Sequence, residues 1–297
     1  MCGIVGLFLK KPALEPTLGA LLGGMLATMR DRGPDSAGFA VYGAPEMPGQ
    51  VKLTIRAPAG TDFAKLAIAM RAEIPSLRLL AARDTHAVLA IAEADESAVR
   101  AALPPAASVV GAGRSMELYK EVGLPGEVAE RFGLGAMSGS HGIGHTRMAT
   151  ESAVTIDGAH PFTTGRDQCL VHNGSLSNHA SLRRMLTREG ASFATENDTE
   201  VAAAYLSWRM REGDDLPTAL DACLADLDGF YTFVVGTETG FAVLRDPISC
   251  KPAVMAETED WVAFGSEYRA LVDLPGIAHA RVWEPAPAHV YAWARAA

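Results

Sequence analysis

The second residue of the chain is a cysteine, and it opens onto the apolar run GIVGLFL. Initiator methionine is commonly removed ahead of a small residue, which would leave Cys2 with a free α-amine beside its thiol. An α-amine titrates near ~8, so part of it is unprotonated near neutral pH and able to take a proton. The thiol is a good nucleophile in the same range. One residue could therefore hold both nucleophile and base, a combination suited to cleaving an amide. The plainer reading is a small residue that happens to stand second.

The downstream sequence weighs against that plainer reading. After MCGIVG come RDRGPDSAG, GHTRMAT, AHPF, HNG and ENDTE, in that order. Jointly these motifs resemble the class II glutamine amidotransferase domain, one of the N-terminal nucleophile hydrolases. The resemblance covers residues 1–44 and about 138–275. It implies glutaminase chemistry: hydrolysis of L-glutamine to glutamate and ammonia through a thioester on Cys2. It also implies roles for particular residues. Asn173 and Gly174 would stabilise the oxyanion, Arg147 would take the α-carboxylate of glutamine and Asp198 its α-ammonium. Arg32 and Gly33 would orient the nucleophile, and Thr150 would line the pocket. These residue types fit the need, since rigid donors suit an oxyanion and a planar guanidinium suits a carboxylate. Each also has a plainer reading: HNG as a β-turn, Arg147 as an ion pair, Asp198 as a helix N-cap, Arg32-Gly33 as a turn with a surface arginine. His145 and His172 have no role in the implied mechanism and are expected to be structural. Glu151 departs from relatives that carry histidine after Ala-Thr, and would place a negative charge near the carboxylate end of the pocket.

These residues need elements to hold them. Gly3–Leu9 reads as a buried strand, Pro16–Arg30 as a helix, Gly38–Tyr42 as a strand. HGIGHTR and QCLVHNG read as strands, the second ending in an Asn-Gly turn. Helices are expected over 178–189, capped by Asn178, and from Asp198 through DTEVAAAYLSWRMR. FYTFVVG, GFAVLRD and DWVAFG read as further strands. Two antiparallel sheets with helices outside account for this order. The resemblance implies the same α+β class: a four-layer αββα sandwich, the N-terminal nucleophile hydrolase fold, in one domain over 1–297. Residues 45–137 read as an inserted α/β segment. Its order β-α-β-β-α-β, with strands near 51–56, 77–82, 87–92 and 108–112, is that of a ferredoxin-like unit. It contains no chemical motif and is expected to shape an interface.

A chain of 297 residues with a net charge of −9 lacks the basic footprint of a nucleic-acid binder. No apolar run approaches membrane-spanning length and no signal peptide is recognisable, so a cytoplasmic location is expected. Cys169, Cys223 and Cys250 form no C-x-x-C pair, which argues against metal sites, and read as small buried residues. The resemblance extends to the separately encoded amidotransferase subunit of glutamate synthase-like systems such as N-methylglutamate synthase. It implies synthase partner subunits that carry FMN and iron–sulfur clusters, with no cofactor in this chain. Two other functions fit the same residues: an amidase acting on another amide, and a non-catalytic regulatory subunit.

Overall fold

The structure, a computed structural model, describes residues 2–149 and 154–295. The chain begins with β1 (Gly3–Leu9), α1 (Leu18–Thr28) and β2 (Ser36–Tyr42). Next come β3 (Gln50–Arg56), α2 (Phe63–Arg71), β4 (Arg78–Arg83), β5 (His86–Ala92), α3 (Glu96–Ala102) and β6 (Ser108–Gly113). Then follow β7 (Met116–Val122), α4 (Pro125–Arg131), β8 (His141–Arg147), β9 (Phe162–Gly165), β10 (Gln168–Leu176), α5 (His179–Arg188), α6 (Asp198–Arg211) and α7 (Leu216–Asp226). The chain closes with β11 (Gly229–Gly236), β12 (Gly240–Arg245), β13 (Val254–Glu257), β14 (Trp261–Gly265), β15 (Arg281–Trp283) and β16 (Val290–Ala294).

Two antiparallel sheets pack face to face. One runs β15-β13-β14-β1-β8-β2-β7 and the other β16-β12-β11-β10-β9. Strand alternation sorts the side chains into layers. Val5, Leu7 and Leu9 of β1 pack with Leu22, Met25 and Leu26 of α1 and with Val128 of α4. Ile4 and Phe8, on the opposite face of β1, join Val171, Val234 and Phe241 between the sheets. Leu170 and Leu176 of β10 join α5, α6 and α7 behind the second sheet. The result is a four-layer αββα sandwich.

The sequence HGIGHTR records this layering. Its odd positions face the second sheet: His141 bonds the Thr237 carbonyl, Ile143 sits in the inter-sheet core and His145 bonds the His172 carbonyl. Its even positions face α1, where added Cβ atoms on Gly142 and Gly144 would come 2.7 Å from Leu22 and 3.1 Å from Leu26. Small residues here let the helix lie directly on the strand.

Residues 50–113 fold around a core of their own, which includes Leu53, Ile55, Phe63, Ala67, Leu89 and Val99. Their four antiparallel strands run β4-β5-β3-β6. The inserted part is shorter than the sequence suggested. β7 pairs with β2 along its whole length, and Tyr119 of β7 packs against Phe39 and Phe132. Residues 116–137 therefore belong to the main sandwich, because β7 covers what would otherwise be an open edge of its larger sheet. The first helix is also shorter than expected. Pro12–Thr17 forms a 3-10 turn containing Pro16, and α1 starts only at Leu18. Cys169 and Cys223 are buried as expected, whereas Cys250 is exposed in the turn that follows β12.

Gly38, in the middle of β2, carries the backbone of the segment before β9. A Cβ at Gly38 would overlap the His160 carbonyl oxygen and stand 2.6 Å from Lys120 Cβ. Gly38→Ala is expected to destabilise the fold by about 2–3 kcal/mol, in the range of overpacked cores. Urea unfolding measures this; an unchanged midpoint would mean that this segment does not rest on β2.

Candidate functional site

Cys2 stands at the open end of the inter-sheet core. It continues the face of Ile4 and Phe8, so alternation directs it toward the second sheet. The residue is half-buried, and its carbonyl oxygen is gripped from two sides. Arg32 Nε donates to it at 2.9 Å and Asn173 Nδ2 at 3.2 Å. Arg32 is buried, ends a short 3-10 turn and pairs with Glu267 at 2.7 Å. Gly33 runs against β8, where a Cβ would come 2.5 Å from the Arg147 nitrogen. The pair is thus no surface turn: the glycine permits close approach and the arginine reaches Cys2.

The Asn-Gly pair lies inside a strand, which corrects the turn reading. β10 continues through both residues to Leu176, with Asn173 opposite Thr232 and Gly174 opposite Tyr231. Asn173 shares the face of Cys169 and Val171, pointing to the first sheet and Cys2. Gly174 holds φ 151°, and any Cβ would overlap the Phe230 carbonyl oxygen. The local signal for a turn was in fact a signal for a glycine-only strand position.

Arg147 ends β8 on the face of His145 and is buried. Asp35 fastens the chain on either side of it. The Asp35 amide donates to the Arg147 carbonyl at 3.1 Å, and its carboxylate accepts from the Ala149 amide at 2.8 Å. Asp198 sits in the first turn of α6 with one carboxylate oxygen accepting from the Leu176 amide at 2.9 Å. It is not the helix cap; Asn197 is, through its side-chain oxygen and the Thr199 amide. Asn178 precedes α5 without capping it, and instead ties the Asp226 carbonyl to the Asp228 amide. Cys2, Arg147, Asn173, Gly174 and Asp198 all line one cavity of about 540 Å³. Thr150 and Glu151 lie outside the described residues. A larger groove of about 1220 Å³ between residues 93–114 and α6 contains none of the candidate residues.

Behind the cavity, buried histidines form a scaffold. His145 stacks on His160 with ring centroids 4.0 Å apart. His160 and His172 both bond the Thr199 hydroxyl, at 2.8 and 3.0 Å. Burial pushes His145 down to about 3 and His160 well below its ordinary value. Burial lowers His172 as well, against the opposing charge of Asp198. These rings are neutral near neutral pH. Lys120, pushed down to about 8 by burial, donates to the Ala159 carbonyl at 2.9 Å and so holds the segment before β9. Thr199, Asp35, Ser266 and Glu267 are parts of the site that sequence reasoning did not single out. Asp35 and Thr199 lay within quoted motifs; Ser266 and Glu267 carried no signal of their own. Among the described residues, no cluster of three or more His, Cys, Asp or Glu side chains is arranged to hold a metal ion. Nor is any helix among them long and apolar enough to cross a membrane.

A family model described as a glutamine amidotransferase domain matches residues 145–273. The glutamine amidotransferase-like protein GlxB of Rhizobium meliloti (strain 1021) is 63% identical over 298 residues, covering 99% of this chain and 98% of that one. Glutamine–fructose-6-phosphate aminotransferase of Aliivibrio fischeri is 36% identical over 128 residues, 43% of this chain and 21% of its own length. Among solved structures, the glutamine phosphoribosylpyrophosphate amidotransferase of B. subtilis superposes with a TM-score of 0.62 at 21% identity. It covers 98% of this chain, and this chain spans 47% of it. The last likeness is one of fold.

The buried histidines make stability pH-dependent. Burial pushes His86, His141 and His145 to about 3, against an ordinary value near ~6.5 when unfolded. Between those limits the unfolded chain binds protons that the fold refuses, so stability falls as pH drops below about 6.5. Each group contributes a loss approaching about 1.4 kcal/mol per pH unit. Urea midpoints should therefore decline from pH 7.5 to 5.5; a flat profile would contradict neutral buried rings.

Proposed function

The chain belongs to the class II glutamine amidotransferase family, and from that premise we propose that it hydrolyses L-glutamine to glutamate and ammonia through a thioester on Cys2. The observation that carries this reading is the convergence of Cys2, Asn173, Gly174, Arg147 and Asp198 on one cavity. With Met1 removed, the α-amine of Cys2 takes the thiol proton and sulfur attacks the amide carbon. Asn173 and the backbone of Gly174 stabilise the oxyanion. An amide side chain has two N–H donors, so Asn173 can hold the Cys2 carbonyl with one and the oxyanion with the other. The protonated amine then gives its proton to the departing nitrogen as the C–N bond breaks, releasing ammonia. Water, deprotonated by the same amine, attacks the thioester, and glutamate leaves with the thiol restored.

Arg147 and Asp198 sort the substrate. A guanidinium at one end of the cavity takes the α-carboxylate and the Asp198 carboxylate takes the α-ammonium, a pairing that selects a free amino acid over an acylated amine. Thr150 would complete the wall. Asp198→Asn is expected to raise KM for glutamine about 10- to 100-fold, the scale of a lost charge-assisted contact. An unchanged KM, measured by ammonia release, would remove Asp198 from the substrate site.

We further propose that the ammonia or glutamate serves separate synthase subunits of the glutamate synthase type, as in N-methylglutamate synthase, and that those subunits carry the FMN and iron–sulfur clusters. The resemblance of the motif order to the amidotransferase part of such systems supports this reading. Cys2→Ala should abolish ammonia release from glutamine while the purified complex still uses added ammonium. Wild-type hydrolysis by this variant would refute the nucleophile. Co-purification with no flavoprotein would refute the partner.

A further inference from the structure

We propose that Glu267 is a positioning residue for the nucleophile: its carboxylate fixes the Arg32 guanidinium so that Nε is aimed at the Cys2 carbonyl. The inference rests on the reading of Cys2 as nucleophile. Arg32 is 7% exposed and touches the two groups with different nitrogens, Nε to Cys2 O at 2.9 Å and Nη1 to Glu267 Oε1 at 2.7 Å. A guanidinium is a rigid planar fork, so two contacts fix its plane where one would leave it free to turn.

Glu267 is itself held. Its other oxygen, Oε2, accepts from Arg269 Nε at 2.7 Å, and Arg269 Nη1 reaches Asp31 Oδ2 at 3.2 Å. Asp31 directly precedes Arg32, so the alternating charges Arg32, Glu267, Arg269 and Asp31 close on the same turn of chain. The residue before Glu267 is fixed as firmly. The Ser266 amide donates to the Ile4 carbonyl at 2.9 Å, and its hydroxyl accepts from the Ile4 amide at 2.9 Å. The end of β14 therefore grips the start of β1 at Ile4 directly and at Cys2 through Arg32. Both reacting groups of Cys2, thiol and α-amine, turn with its carbonyl. A misplacement of about 1 Å at a reacting centre costs on the order of 100-fold in rate.

The test uses the full chain with Met1 removed, a fact checked by intact mass. Glu267→Gln keeps the shape of the side chain and loses its charge. It is expected to lower kcat for glutamine hydrolysis by about 10-fold or more, with KM within about 2-fold, because the glutamine contacts are untouched. The rate of Cys2 alkylation by iodoacetamide should change with it, while the thermal midpoint shows the variant folded at the assay temperature. Glu267→Asp should recover part of the loss. Asp260→Asn, which removes an ion pair with Lys11 at the far end of β14, should leave kcat and alkylation unchanged. In an Arg32→Lys background, Glu267→Gln should cost little more, since both act through one guanidinium. Wild-type kcat in Glu267→Gln, or losses from the two substitutions that simply multiply, would overturn the proposal. Glutamine hydrolysis by Cys2→Ala would instead overturn the underlying reading, so the two failures are distinguishable.

Discussion

The carbonyl oxygen of Cys2 is the point on which the site depends. It accepts one hydrogen bond from Arg32, beside the first sheet, and one from Asn173, on the second. Here two donors from segments 30 and 171 residues away hold it. Both must be in place together, which fixes how the two sheets slide against each other at this end. The inter-sheet core supplies that alignment: Gly6 lies under the Phe241 ring, and a Cβ there would come within 2.5 Å of it. Nothing bulkier than hydrogen fits at that crossing.

A polar site at the mouth of an apolar core needs its buried polar groups paired. The histidine scaffold meets this need through one nitrogen of each uncharged ring, while His145 Nδ1, His160 Nδ1 and His172 Nε2 have no hydrogen-bond partner among the described residues. His145 donates across the sheets to the His172 carbonyl, and the Thr199 hydroxyl sits between His160 and His172. Arg147 and Asp198 bring charge to the cavity lining, and Arg32 and Glu267 bring it to the Cys2 carbonyl beside it. Low polarizability behind the cavity strengthens the field of those charges inside it.

Much of this was legible in the sequence where the pattern is local. HGIGHTR alternates between faces because one side meets a helix and the other a sheet. The six elements between 50 and 113 follow from short apolar runs separated by Asp, Gly and Pro. Cys2, Arg147, Asn173, Gly174 and Asp198 meet at one cavity, with Arg32 on the Cys2 carbonyl beside it, because the motif order carries the fold with it. Other features depended on distant neighbours. Gly174 looked like a turn residue since its true reason, the Phe230 carbonyl on the next strand, lies 56 positions along. MELYKEV joined the insertion in a linear reading, yet its Tyr119 belongs with Phe39 and Phe132. Asn197 and Asp198 are adjacent and equally apt as caps; only geometry decides between them. Ser266 and Glu267 were invisible, because an ordinary Ser-Glu pair gains meaning only when β14 lies beside β1.

That adjacency orders events during synthesis. β1 is an interior strand, flanked by β8 and by β14 at residues 261–265. Residues 3–9 must therefore wait for residues 261–265 to be synthesised before their second neighbour exists. A nascent chain, even one already relieved of Met1, has no Ser266 to bind Ile4 and no Glu267 to face Arg32. The setting of Cys2 is thus completed only once Glu267 has been made, and a translation product that stops short of it carries Cys2 without the contact that orients Arg32 on its carbonyl.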